Sequence, residues 1–199
     1  MDIGNPGGIM LKGLEDACGL TAYAKTLDFD AINIATDKEY QKNFTGYYRV
    51  RRDGAWLKKY YEYMEEHKND TFISFEQILR HLSSIPHRVK KSSVNPTGFA
   101  TSVDASYSSK MLATINPDYP VWDSQVVRAL GITIDNSLRG EDKIQAYIRS
   151  YAELTEEIRD FISTQNGRDC IEIFDSTFPS YANLNPFKKI DFFLWNIGK

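Results

Sequence analysis

Two residues in this sequence have the types and the spacing to do chemistry together: Lys110 and Asp123. Lys110 falls in a short helix that carries Met111, Leu112 and Ile115 and is closed by Asn116-Pro117. Asp123 reads as the N-cap of the next, which carries Val126, Val127 and Leu130 inward and stops at Gly131. A tight, proline-bounded link joins them. The pattern places Lys110 in the first turn of its helix, where the dipole disfavours a protonated amine. Backbone N–H groups at an N-cap hold a carboxylate such as Asp123 ionised. An amine inclined to its free base, with a fixed carboxylate nearby, supplies the parts for imine formation or for stabilising a developing cation. The bland alternative makes Asp123 an ordinary cap and Lys110 a salt-bridge partner across the link.

The elements that must position these residues are helices. In residues 53–68, Trp56, Leu57, Tyr60, Tyr61 and Met64 recur at helical spacing behind Asp53 as N-cap. Ser74 opens a second helix carrying Phe75, Ile78, Leu79 and Leu82, and Pro86 ends it near Ile85. Residues 92–103 are rich in breakers and read as a loop or hairpin. Either Asp104 or Ser106 caps the helix that holds Lys110. The longest helix is expected from about Glu141 to Gln165, with Asn166-Gly167 as its stop. Residues 168–176 and 186–197 form two final helices, the last opened by Pro186. Strand signals at Ala31–Ala35 and Gly131–Ile134 are short and weak. The fold class is therefore all-α, about eight helices. The length suits a single domain, 1–199, with two helical lobes around a cleft as a variant: a basic lobe at 38–91, and 92–199 with the Lys/Asp motif.

Charge is unevenly spread. The chain has 24 basic and 27 acidic side chains, a net of −3. Residues 1–37 hold 2 basic and 6 acidic groups, residues 38–91 hold 12 and 7, and residues 92–199 hold 10 and 14. A basic middle thus lies between acidic ends, and it includes Arg49, Arg51, Arg52, Lys58, Lys59, Arg88, Lys90 and Lys91. Such a patch attracts an anionic partner, nucleic acid included, even on an acidic protein. The alternative is a solvated helix face whose cations pair with Glu62, Glu65 and Glu66. The acidic, Gly-rich start, 1–37, reads either as a mobile arm or as a packed cap.

Other chemistry finds little footing. No phosphate-binding loop, dinucleotide fingerprint, zinc-protease helix or nucleophile elbow occurs. His67, His81 and His87 are spaced for no metal site, and Cys18 and Cys170 read as small core residues. The expectation is no cofactor and no metal. No apolar run approaches the roughly 18 residues of a membrane span, and the start lacks the features of a secretory signal. With two unpaired cysteines, this predicts a cytoplasmic protein.

The segment Pro120-Val121-Trp122-Asp123-Ser124-Gln125-Val126-Val127-Arg128 resembles the strip after the hairpin in helix-hairpin-helix DNA glycosylases. There a Val-Asp-Thr-His-Val-x-Arg pattern opens a helix and its Asp is catalytic. Asp123, Val126 and Arg128 match, while Trp122, Ser124 and Gln125 replace Val, Thr and His. Lys110 resembles the lysine with which bifunctional members attack the sugar. The family's Leu-Pro-Gly-x-Gly hairpin is missing, with Asn95-Pro96-Thr97-Gly98 the nearest tight loop, and the Lys110-to-Asp123 spacing is shorter than usual by more than a helical turn. A Ser-Lys-x-Leu…Asn-Pro…Pro-x-x-Asp core and the Lys-Lys-Ile-Asp-Phe-x-Leu-Trp tail at 188–195 are most similar to bacterial proteins of 8-oxoguanine-glycosylase-like fold.

The resemblance implies a DNA repair glycosylase and AP lyase that flips a damaged base out of duplex DNA. Lys110 would add to the anomeric carbon, and Asp123 would stabilise charge on the sugar. Trp122 would stack on the base, while Arg51, Arg52, Lys90, Lys91 and Arg128 would hold phosphates. The competing reading is a helical binding or regulatory protein that keeps the glycosylase architecture without its activity.

Overall fold

Asp37, Asp53, Ser74, Asp123, Thr164 and Asn185 each sit one residue ahead of a helix. Each side-chain oxygen takes a backbone N–H of the first turn that would otherwise lack a partner. At Ser74 the exchange is reciprocal, since the Gln77 side chain returns to the Ser74 N–H. A computed structural model of the chain describes residues 1–14, 17–93 and 95–199, with backbone alone at Ala17 and Cys18, so the expectation for the Cys18 side chain lies outside the described residues.

Helix takes up 62% of the chain and strand 2%, so the fold is all-α. Ten α-helices occur among the described residues: α1 (Pro6–Gly13), α2 (Ala17–Thr26), α3 (Lys38–Tyr48), α4 (Gly54–His67), α5 (Phe75–Ser84), α6 (Ala105–Ile115), α7 (Ser124–Ala129), α8 (Gly140–Ile162), α9 (Gln165–Thr177) and α10 (Pro186–Ile197). Two short strands, β1 (His87–Arg88) and β2 (Phe99–Ala100), pair antiparallel, so the breaker-rich segment is the body of a hairpin. Neither Ala31–Ala35 nor Gly131–Ile134 is a strand; both are turn or irregular.

By its contacts the chain falls into two units. Unit 1 comprises Met1–Leu20 and Asn116–Lys199, and unit 2 comprises Thr21–Ile115.

Unit 2 has an aromatic core. The Phe44 ring lies 4.8 Å from that of Tyr48 and 5.9 Å from those of Tyr60 and Tyr61, while Trp56 stacks on Tyr60 at 5.3 Å. Each buried phenol still needs an acceptor. Tyr40 donates to the Thr26 carbonyl, Tyr60 to that of Tyr107 and Tyr61 to that of Gln41. In the same unit α5 presents Ile78, Leu79 and Leu82, all fully buried, and packs on α6.

Unit 1 is organised by α10, which packs on α1, α7, α8 and α9. Its core joins Phe174, Phe178, Phe192 and Phe193 to Val126, Leu154, Ile158 and Ile190. Two ion pairs, Lys188 with Asp191 and Lys189 with Asp175, fix both lysines of the tail motif within the fold. Residues 1–14 form a packed cap rather than an arm. The Ile3 N–H and carbonyl both bond to the Asn166 side chain, and a Cβ on Gly13 would meet the Phe192 ring at 2.7 Å.

The expected helix 141–165 ends earlier, at Ile162, and Asn166-Gly167 belongs to the first turn of α9 instead of closing α8. Thr164 caps α9 through the Gly167 N–H, and a Cβ on Gly167 would stand 2.0 Å from the Phe161 carbonyl oxygen. The glycine is there for close approach between the two helix ends. Gly167→Ala should therefore lower the stability by about 1–3 kcal/mol or more, because backbone rather than a flexible side chain must yield. Gly46→Ala, on the exposed face of α3 with open space around it, should raise stability by roughly 0.5–1 kcal/mol. Urea unfolding of both variants checks the opposite signs, and an unchanged Gly167→Ala midpoint would refute the close-approach argument.

Candidate functional site

The helix holding Lys110 starts at Ala105, one residue after Asp104, whose carbonyl accepts the N–H groups of Tyr107 and Ser108. Lys110 is consequently its sixth residue, in the second turn, which corrects the placement near the helix start: the dipole acts mainly within the first turn. From Ser108 to Ile115 every residue is buried, Lys110 included at 7% exposure. Its Nζ lies 5.6 Å from the centroid of the Tyr107 ring, three residues back on the same face, a cation–π arrangement.

Asp123 lies in unit 1 and Lys110 in unit 2. Asp123 is half-buried at the start of α7, where its Oδ1 accepts the Gln125 N–H at 3.0 Å. Gly131, at φ +67°, ends the helix as expected: its N–H returns to the Arg128 carbonyl and that of Ile132 to the Val127 carbonyl. Of the apolar trio in α7 only Val126 is fully buried. Trp122 is buried, edge-on to the Tyr147 ring at 5.6 Å, and the Tyr151 hydroxyl ties down the link through the Pro120 carbonyl at 2.7 Å. Arg128 donates to the Gly198 carbonyl at 2.7 Å and to the Gln125 side chain at 2.8 Å. These contacts give Trp122 and Arg128 packing and tethering work inside unit 1.

The basic residues of unit 2 divide by orientation. Arg52 turns inward: its Nη2 pairs with Asp104 and reaches Ser102 Oγ, and its Cζ lies 4.9 Å from the Tyr107 ring. Burial raises the Asp104 carboxyl above its ordinary range, against the opposing pull of Arg52. Arg51, next in sequence, is exposed, with its N–H and carbonyl both bonded to the Tyr107 hydroxyl. Arg88, Lys90 and Lys91 are exposed on the hairpin.

Within that hairpin Arg88 faces Phe99 in register, and Phe99 is itself exposed. The N–H groups of Val89, Ser92, Asn95, Gly98 and Phe99 bond to acceptors within the loop, so those donors are already used. What the hairpin displays to an anion is its side-chain cations Arg88, Lys90 and Lys91. Arg88 was legible only as part of the basic run, and Phe99 carried no sequence signal, since a lone Phe in a breaker-rich loop has no periodic partner.

Asp53 fastens the hairpin to α4. Its Oδ1 caps the helix through the Ala55 and Trp56 N–H groups at 3.1 Å each, while Oδ2 accepts the Arg88 N–H at 2.7 Å. The bond from Arg88 is the main reason its carboxyl is held below the ordinary value of 3.8.

Among the described residues no group of three His, Cys, Asp or Glu is placed to hold a metal. His67 approaches Asp70, His81 stacks on Tyr63 at 3.7 Å, and His87 is buried in β1. Burial pushes the Cys170 thiol up to about 11, the state of a core residue rather than a nucleophile. No helix among the described residues is long and apolar enough to cross a membrane.

A carboxylate with a depressed folded pKa stabilises the protein above its unfolded value, and the contribution fades as pH falls through the folded one. Asp53→Ala should accordingly cost about 1 kcal/mol at neutral pH. The gap from the parent protein should close as pH drops below about 4, a window set by the downward shift from 3.8. Unfolding curves between pH 2 and 7 measure it, and a gap that stays constant with pH would contradict the assignment.

Comparison of the chain with protein-family models, with curated proteins and with solved structures finds no match.

Proposed function

We propose that this chain binds nucleic acid through unit 2, with Arg51 and the hairpin residues Arg88, Lys90 and Lys91 on backbone phosphates. One observation carries this reading. Exposed cations stand on two segments that Asp53 bonds together, and residues 87–103 contain no acidic side chain. A local positive field of this kind acts on a polyanion although the chain as a whole carries −3. Arg52 supports the surface from behind by fixing residues 49–53 to the start of α6.

A second reading, the glycosylase and lyase implied by the resemblance, draws support from Lys110. Unlike Lys58, Lys59, Lys90 and Lys91, it is buried, with its amine against a tyrosine ring. In that chemistry the Lys110 nitrogen bonds to the anomeric carbon while the glycosidic bond breaks, and the base leaves with the bonding pair and takes up a proton. The sugar ring then opens: the nitrogen lone pair forms the C=N bond as the bond from the anomeric carbon to the ring oxygen breaks, the ring oxygen takes a proton, and the resulting iminium is reducible by borohydride. Without that step the protein is a binder of glycosylase-like design.

Duplex binding should weaken steeply with salt. The slope of log K against log salt should be roughly −3 to −4 for four phosphate contacts, reduced by about 2 in the Lys90→Ala/Lys91→Ala double variant. Binding that ignores salt, or none on duplex or single strand, would remove the nucleic-acid reading.

The lyase reading has its own test. Abasic duplex with borohydride should trap a covalent adduct that is lost in both Lys110→Ala and the better-packed Lys110→Met. No adduct with the parent protein, or an adduct that survives in a folded Lys110→Met, would eliminate Lys110 as the nucleophile.

A further inference from the structure

One corner of unit 2 gathers more buried hydrogen-bonding groups than its own acceptors satisfy. Arg52 Nε, Trp56 Nε1 and His87 Nδ1 are all buried and meet no partner among the described residues. Trp56 is wholly enclosed and His87 is 8% exposed. Arg52 and Asp53 link them: the Arg52 Cζ lies 5.7 Å from the Trp56 ring and its Nη2 rests on Asp104, while Asp53, which caps the helix carrying Trp56, accepts the N–H of Arg88, the residue after His87.

The guanidinium is used on one side only. Nη1 donates to the Arg51 carbonyl, and Nη2 serves Asp104 and Ser102, which leaves the Nε edge without an acceptor. An indole N–H and a guanidinium Nε–H can only donate. Leaving such a group buried and unpaired forfeits its hydration without compensation. Two obligate donors in one corner, with a ring nitrogen that can donate as well, define a place for an oxygen with lone pairs and no hydrogen of its own. The corner is not sealed, since the Arg52 side chain keeps 21% of its exposure and that of Asp104 keeps 11%.

We propose that the Arg52–Trp56–His87 corner is a binding site for a small oxyanion, a phosphate or carboxylate group whose oxygens accept from Arg52 Nε and Trp56 Nε1. It is distinct from the exposed hairpin cations, so it stands or falls independently of the nucleic-acid reading. The chemistry is that of an anion recognised by oriented N–H donors beside a guanidinium already neutralised by Asp104. This favours a compact ligand over an extended polyanion.

The test uses the full chain labelled with ¹⁵N, titrated with inorganic phosphate and, separately, with acetate, against a sodium chloride series of equal ionic strength. The Trp56 indole N–H resonance is identified by its disappearance in Trp56→Phe, and that of Arg52 Nε–H in Arg52→Lys. Both resonances should shift saturably with phosphate, acetate or both, and the arm that saturates at lower concentration identifies the preferred anion class. Trp56→Phe keeps the ring and removes the donor; Arg52→Lys keeps the charge facing Asp104 and removes the Nε edge. Each should weaken the binding by about tenfold or more. Resonances that respond to neither anion, or equally to chloride, would overturn the site and leave bound water as the acceptor. Unchanged affinity in both variants would overturn it too. Should a variant fail to fold, the titration of the parent protein decides alone.

Discussion

The surface of unit 2 depends on one carboxylate with two obligations. Asp53 must cap α4 with one oxygen and hold the backbone of β1 with the other, so the start of the helix and the hairpin are fixed to the same residue. The run leading into it has no regular secondary structure, and its residues differ in burial. Val50 is buried, Arg51 faces water, and Arg52 turns in to Asp104. Two neighbouring arginines of identical chemistry thereby acquire opposite fates, one displayed and one consumed by the fold. Arg49 makes the turn possible, ending α3 with φ at +52°.

Much of the architecture was legible because helix starts are written in side chains. Asp53, Ser74 and Asp123 occupy the caps their types suggest, and Gly131 and Pro186 do their expected work at a helix end and a helix start. The helices in residues 1–48 were not legible. α1 opens Pro-Gly-Gly, which reads as breakers, and α3 carries its inward face on Tyr40, Phe44 and Tyr48, where the two tyrosine hydroxyls blur the apolar signal. Only the long-range bond from Tyr40 to the Thr26 carbonyl reveals why a tyrosine stripe can be interior. Asn166-Gly167 misled for a different reason. The pair is a common stop, but its glycine answers a steric demand from the preceding helix that no local pattern displays.

The candidate site was less legible than the fold, because it turns on one ambiguity of a single turn. Either Asp104 or Ser106 could precede the Lys110 helix, and the choice decides whether that lysine meets the dipole or the interior. Asp104 takes the position, yet its side chain goes to Arg52 and Ser102 instead of to the helix, a long-range pairing between residues 52 positions apart. The basic run, by contrast, was readable as composition. What composition could not separate was Arg52 from Arg51, or the tethered Arg128 from the displayed Arg88, since that depends on which acceptors the fold brings near.

Unit 2 is one uninterrupted stretch of chain, whereas unit 1 is assembled from residues on either side of it. Translation therefore delivers the whole of unit 2 before most of unit 1 exists. Helix α1, with Gly13 set against Phe192, must wait for the ribosome to emit α10, about 180 residues later, before its apolar side finds its seat. During that interval α1 is an exposed, sticky part of the nascent polypeptide, and its brevity and three glycines keep it from folding early on its own.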